Sequence, residues 1–124
     1  MAVTTISGNV VRDPQLRFTQ SGDAVASFTV AHTKRKFDKA TSTWVDDGDT
    51  LWVEVTAWKA LGEGAAETLR QGSKVIVSGE LRQRNWLDKE GNKRVTIGLD
   101  ATDVGVSVRA ARKSAPVQSE DAPW

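Results

Sequence analysis

Three tryptophans fall where packing alone does not explain them. In the run Thr50 to Lys59, Trp52, Glu54, Thr56 and Trp58 share one parity and Leu51, Val53, Val55 and Ala57 the other, so an extended backbone puts the two sets on opposite faces. The second set is an ordinary apolar lining for a core. The two indoles therefore lie on the side the core does not need. The run Lys74 to Trp86 repeats the arrangement, with Val75, Val77 and Leu81 opposite Ile76, Ser78, Glu80, Arg82, Arg84 and Trp86, an assignment that a bulge would shift. An apolar group on a polar face marks binding, or else cover by a loop or a neighbouring subunit.

Cations cluster beside the same rings. Arg82, Arg84, Lys89, Lys93 and Arg94 stand against Asp88 and Glu90, and Lys34, Arg35, Lys36 and Lys39 against Asp38, with Phe37 among them; Lys59 adjoins Trp58. A flat ring next to a cation suits a ligand that is planar in one part and anionic in another. Nucleotides are such ligands: a base stacked on an aromatic side chain contributes about 1–3 kcal/mol, and the basic residues track the phosphates.

Composition removes most other chemistry. The chain has 124 residues, no cysteine and one histidine, His32, which excludes disulfides, thiol catalysis and a cysteine or histidine zinc site. No phosphate-cradling GxxxxGK[ST] loop is present, and no pair of carboxylates is placed in one cleft, so an enzyme is not expected. Neither a cofactor nor a metal is expected. Seventeen basic against sixteen acidic residues leave a net charge of only +1, which by itself argues against binding a polyanion through bulk charge. Five of the eight aromatic residues are tryptophan. The N-terminal stretch has no basic and apolar signal pattern and no run is long enough to span a bilayer, so a cytoplasmic protein is expected.

The elements that must position these residues read as all-β. Alternating runs cover Val3 to Val11, Ala24 to Thr33, Thr50 to Lys59, Lys74 to Trp86 and Arg94 to Val104. Asp13-Pro14 closes the first, Ser21-Gly22-Asp23 turns into the second, a long polar loop from Lys34 to Asp49 precedes the third, and Asp88 to Asn92 makes a hairpin loop with Gly91 at positive φ. Between the third and fourth runs Leu61, Ala65 and Leu69 recur every four residues and Gly72 follows, which predicts one short helix, weakened by Gly62 and Gly64. Five strands with a helix between the third and fourth is the order of an OB-fold, a five-stranded Greek-key barrel. Phe18 and Phe28 are expected in the core, His32 packed or hydrogen-bonded, and Asp46-Asp47-Gly48-Asp49 in a solvated turn. Residues 1–108 form the predicted domain and 109–124 a flexible tail.

The stretches GNVVRDPQLRFTQSGDAVASFTVA (Gly8 to Ala31), TLWVEVTAWK (Thr50 to Lys59) and LRQGSKVIVSGELRQRNWLDKEGNKR (Leu69 to Arg94) resemble the bacterial single-stranded DNA-binding protein (SSB) family, over about residues 2 to 105. The resemblance implies a nucleoid-associated homotetramer that wraps single-stranded DNA in replication, recombination and repair; a dimer is the other assembly left open. It puts the stacking aromatics at Phe37, Trp52, Trp58 and Trp86. Phe37 stands where tryptophan is common and Trp58 where phenylalanine is common. Trp44 has no assured counterpart and is either an extra stacking platform or an anchor for its loop. The ending Glu120-Asp121-Ala122-Pro123-Trp124 resembles the family's acidic tip, with tryptophan for phenylalanine; Glu120, Asp121, Pro123 and Trp124 would then dock on replication and repair proteins. An oligosaccharide- or protein-binding OB module is the alternative reading.

Overall fold

A computed structural model describes residues 1–109. The elements are β1 (Val3–Val10), β2 (Gln15–Phe18), β3 (Ala24–Asp38), β4 (Thr43–Trp58), α1 (Lys59–Thr68), β5 (Lys74–Leu87) and β6 (Lys93–Val106). One sheet runs β1-β5-β6-β4-β3-β2, and a further β1–β3 pairing, Asn9 with Ala31 and Val10 with Val30, closes it. All pairings are antiparallel except β4 with β6, which is parallel from Val53–Ile97 to Thr56–Asp100. The five long strands make the expected OB barrel. The extra strand, β2, pairs with the Ala24–Ser27 part of β3. The predicted helix is α1, which in this count lies between β4 and β5.

Alternation builds the interior. Ala26, Phe28 and Val30 of β3, Val53, Val55 and Ala57 of β4, Val75 and Val77 of β5, and Leu99 of β6 are buried in one cluster. Ala65 of α1 and Leu69 at its end join that cluster. The glycine that weakens the helix has a packing reason: a Cβ on Gly62 would stand 2.5 Å from the Ala57 carbonyl oxygen, so only glycine lets α1 lie this close to β4.

Several local expectations are corrected. The stretch from Lys34 to Asp49 is not a loop; β3 and β4 run on as a paired arm to Asp38–Thr43, leaving a turn of residues 39–42. The acidic group is not a turn between strands either. It forms an irregularity within β4, where the pairing steps from Thr33–Thr50 to Arg35–Asp46 and Gly48 takes φ 112°. Leu51, expected to line the core, is exposed, because its partner His32 already lies beyond the last core pair, Val30–Val53. His32 is exposed too, not packed. Phe28 is buried but Phe18 is 63% exposed, since it stands at the end of β2, the outermost strand of the sheet.

Candidate nucleic-acid interface

The parity argument holds on β4. Val53, Val55 and Ala57 are sealed in the core, while Trp52 and Trp58 on the opposite face keep 57% and 47% of their surface exposed. At about 3.3 Å per residue the two indoles stand some 20 Å apart along one strand. On β5 buried and exposed residues alternate from Val75 to Leu81, beyond which both sides of the strand are exposed, and the backbone of β5 carries no bulge up to Trp86. The one register shift, between Ser78 and Gly79, is absorbed by β6, which passes from Asp103 to Ala101. Trp86 is therefore also on the outer face, 40% exposed. Its indole Nε1–H donates to Thr96 Oγ1 at 2.9 Å. Thr96 directly precedes Ile97, the β6 partner of Val53, so the β6 residue that Trp86 bonds lies beside the β4 segment that carries Trp52.

The arginines between these rings are held in place. Arg84 lies with its guanidinium carbon 5.6 Å from the Trp86 ring centroid and a nitrogen 3.7 Å from Glu54 Oε2, within the range of a cation–π contact. Arg82 reaches across β6. Its Nε–H donates to Asp100 at 3.0 Å and its Nη2–H to Thr56 Oγ1 on β4 at 3.1 Å. The guanidinium crosses at Gly98, where a Cβ would stand 2.8 Å from it. Glu54, Thr56 and Asp100 thus fix where two cations sit on the tryptophan face.

The β3–β4 arm carries a second aromatic pair. Phe37 and Trp44 are register partners whose rings meet edge to face, with centroids 5.6 Å apart, and both remain exposed. Around them Arg35 donates to the Trp44 carbonyl at 2.8 Å and lies 3.6 Å from Asp46, while Lys34 and Lys36 both approach Asp47, at 3.9 and 3.8 Å. The acidic residues in the arm of β4 thus face the basic cluster of β3.

At the β5–β6 turn, Arg94 pairs with Asp88 at 2.9 Å. The Asp88 carboxylate also accepts the backbone N–H groups of Asn92 and Glu90, each at 2.9 Å. The Asn92 N–H is the chief cause of a pKa below the ordinary carboxylate value; partial burial opposes it, and Arg94 and the Glu90 N–H add to it. Gly91 has φ 82°, as the turn requires.

Of the ten cations singled out from sequence, Lys39, Lys59, Lys89 and Lys93 are exposed with no carboxylate within 4.0 Å among the described residues, and the other six are paired. Lys59 opens α1 at positive φ, directly after Trp58. Sequence reasoning missed the partners Glu54, Thr56, Thr96 and Asp100, whose identities carry no signal without the register. It also left out strand β2, which carries Arg17 and Phe18, although the alternation Gln15-Leu16-Arg17-Phe18 does point to a strand. The tip, Glu120, Asp121, Pro123 and Trp124, lies outside the described residues. No helix among the described residues is long and apolar enough to cross a membrane.

Comparison with known proteins shows a family and a fold. Residues 1–107 match the model of the single-strand binding protein family. A protein of Streptomyces coelicolor named single-stranded DNA-binding protein 2 is 49% identical over 109 residues, which is 88% of this chain and 54% of that protein. The single-stranded DNA-binding protein of Paenarthrobacter aurescens is 47% identical over 107 residues, 86% of this chain and 62% of that one. The matched stretch is thus a little over half the length of these relatives. The crystal structure of a small single-stranded DNA-binding protein from Streptomyces coelicolor superposes with a TM-score of 0.79 at 29% identity, covering 87% of this chain and 95% of that one.

Proposed function

The chain belongs to the single-strand binding protein family, and on that premise we propose that it binds single-stranded DNA without regard to sequence. The observation that carries the reading is the sheet face on which Trp52, Trp58 and Trp86 lie open to solvent while the alternate residues of the same strands fill the core. Bases stack on these rings and on Phe37, with Trp44 supporting Phe37 and adding a further ring. Lys34, Arg35, Lys36, Lys39, Lys59, Arg82, Arg84, Lys89, Lys93 and Arg94 supply phosphate contacts. Stacking does not distinguish bases and phosphates carry no sequence, so such a face takes any single strand.

The wider role follows from that activity. Residues 1–108 act as the binding domain of a homotetramer that covers single strands during replication, recombination and repair in the cytoplasm, at the nucleoid. The Glu120–Trp124 tip recruits replication and repair proteins.

Titration with oligo-dT tests the binding reading. Tryptophan emission is expected to be strongly quenched, because several indoles stack at once. The logarithm of the affinity is expected to fall with the logarithm of salt concentration by about 0.7 per phosphate neutralised. Unchanged emission at saturating oligo-dT, or an affinity indifferent to salt, would overturn it; the latter is the behaviour of a face built for neutral sugars.

A further inference from the structure

We propose that Phe18 and Arg17 of β2, together with Trp58, form an additional nucleotide subsite that extends the tryptophan face to the edge of the sheet. The inference rests on the single-strand reading and names where the strand goes past Trp58.

Three observations carry it. Register puts Arg17 opposite Val25, and Val25 opposite Trp58, so the arginine and the indole share one row and one face, with a single strand between them. Two strand spacings separate them by about 10 Å. Second, Phe18 and Trp58 line the same open cleft, whose floor includes Ser27 and Thr56. Phe18 has the parity of the buried Ala24, its partner in the sheet, yet it is one of the most exposed large apolar side chains among the described residues. Two exposed aromatics on one cleft whose lining also carries the hydroxyl groups of Ser27 and Thr56 suit a flat heterocycle that has polar edges. Third, Arg17 is exposed and has no carboxylate within 4.0 Å among the described residues. Arg82, Arg84 and Arg94 are each paired with a carboxylate. Arg17 is thus an arginine of this cleft that a phosphate reaches without displacing a carboxylate.

The cleft opens beside Trp58 and runs from the rings on β4 across β3 toward β2. A strand stacked on Trp52 and Trp58 therefore has its next base over Phe18 and the adjoining phosphate at Arg17. A nucleotide of the same bound strand is the occupant the surroundings select, because both the rings and the free cation are present.

The test uses the full chain with oligo-dT and with the same oligonucleotide carrying 5-iodouracil for photocrosslinking. Phe18→Leu keeps apolar bulk but loses the stacking face. It is expected to weaken oligo-dT binding by about tenfold with the salt slope unchanged. Arg17→Gln is expected to lower the salt slope by about 0.7, the share of one phosphate. Crosslinks are expected on the peptide that carries Phe18. If the wild-type protein binds and quenches normally, yet Phe18→Leu and Arg17→Gln match it and no crosslink maps to β2, the subsite is overturned and the single-strand reading stands. Failure of the wild-type protein to bind oligo-dT would overturn both. A changed native mass for Phe18→Leu would assign the ring to contact between copies, and that too overturns the subsite.

Discussion

Side chains on the tryptophan face differ in what holds them. Trp86 has its indole N–H tied to Thr96 and a guanidinium near its ring, whereas Trp52 and Trp58 stand open on β4 with Glu54 and Thr56 between them. Loss of one stacking platform costs about 1–3 kcal/mol per base. Trp52→Ala and Trp86→Ala are therefore expected to weaken oligo-dT binding by about five- to a hundredfold, with thermal midpoints close to wild type because neither ring fills the core. Val55→Asp places a charge in a fully buried position and is expected to abolish the cooperative melt. Circular dichroism melts alongside fluorescence titrations check the contrast; equal unfolding by all three would mean that the tryptophans serve packing. Parity made these rings legible in the sequence because it tells which residues share a face. It does not tell whether anything lies over that face. Phe18, Leu51 and His32 were misplaced for that reason: each sits where the sheet runs past its cover.

Elements that leave the barrel were the hardest to read. The arm made by the ends of β3 and β4 has no core beneath it, so neither side is selected for apolar residues and the alternation that marks a strand disappears between Lys34 and Asp49. Within the barrel, where one side of each strand must be dry, the boundaries were readable to within a residue or two. The β5–β6 hairpin was legible for a different reason, the turn chemistry of Asp88 to Asn92. Its acid dependence follows from Asp88. The folded-state pKa lies below the ordinary 3.8, mainly through the Asn92 N–H. The stabilisation is therefore complete above the unfolded value and lost as pH falls through the folded one. Hydrogen exchange at the Glu90 and Asn92 amides is expected to stay protected from about pH 7 to about pH 4.5 and to lose protection under stronger acid, after allowance for the intrinsic pH dependence of exchange. Asp88→Asn is expected to remove that acid transition. A turn whose protection ignores pH would show that the carboxylate does not hold it.

At the scale of the whole molecule, the net charge of +1 proved a poor guide, because it sums a surface whose cations and carboxylates are arranged in pairs. Lys34, Arg35 and Lys36 meet Asp46 and Asp47, and Arg82, Arg84 and Arg94 meet Asp100, Glu54 and Asp88. Assembly was not readable from residue patterns, since an apolar side chain awaiting a second copy looks like any exposed one. Ile76 on β5 and Val3 on β1 are both exposed on neighbouring strands, with Ile76 at the far end of the strand that carries Trp86. A native mass four times the 13.5 kDa chain is expected, with Ile76→Lys lowering it; a wild-type mass of one chain would refute the tetramer. The barrel's most consequential economy is in β4, whose two faces carry the core and the open tryptophans. Deleting one codon between Thr50 and Trp58 would turn every following side chain over, sending indoles inward and valines out, so that fold and ligand surface would fail together. A codon added in the turn of residues 39–42 meets no such constraint. Length variation in the gene is thus confined by which parts of the chain have two sides to keep apart.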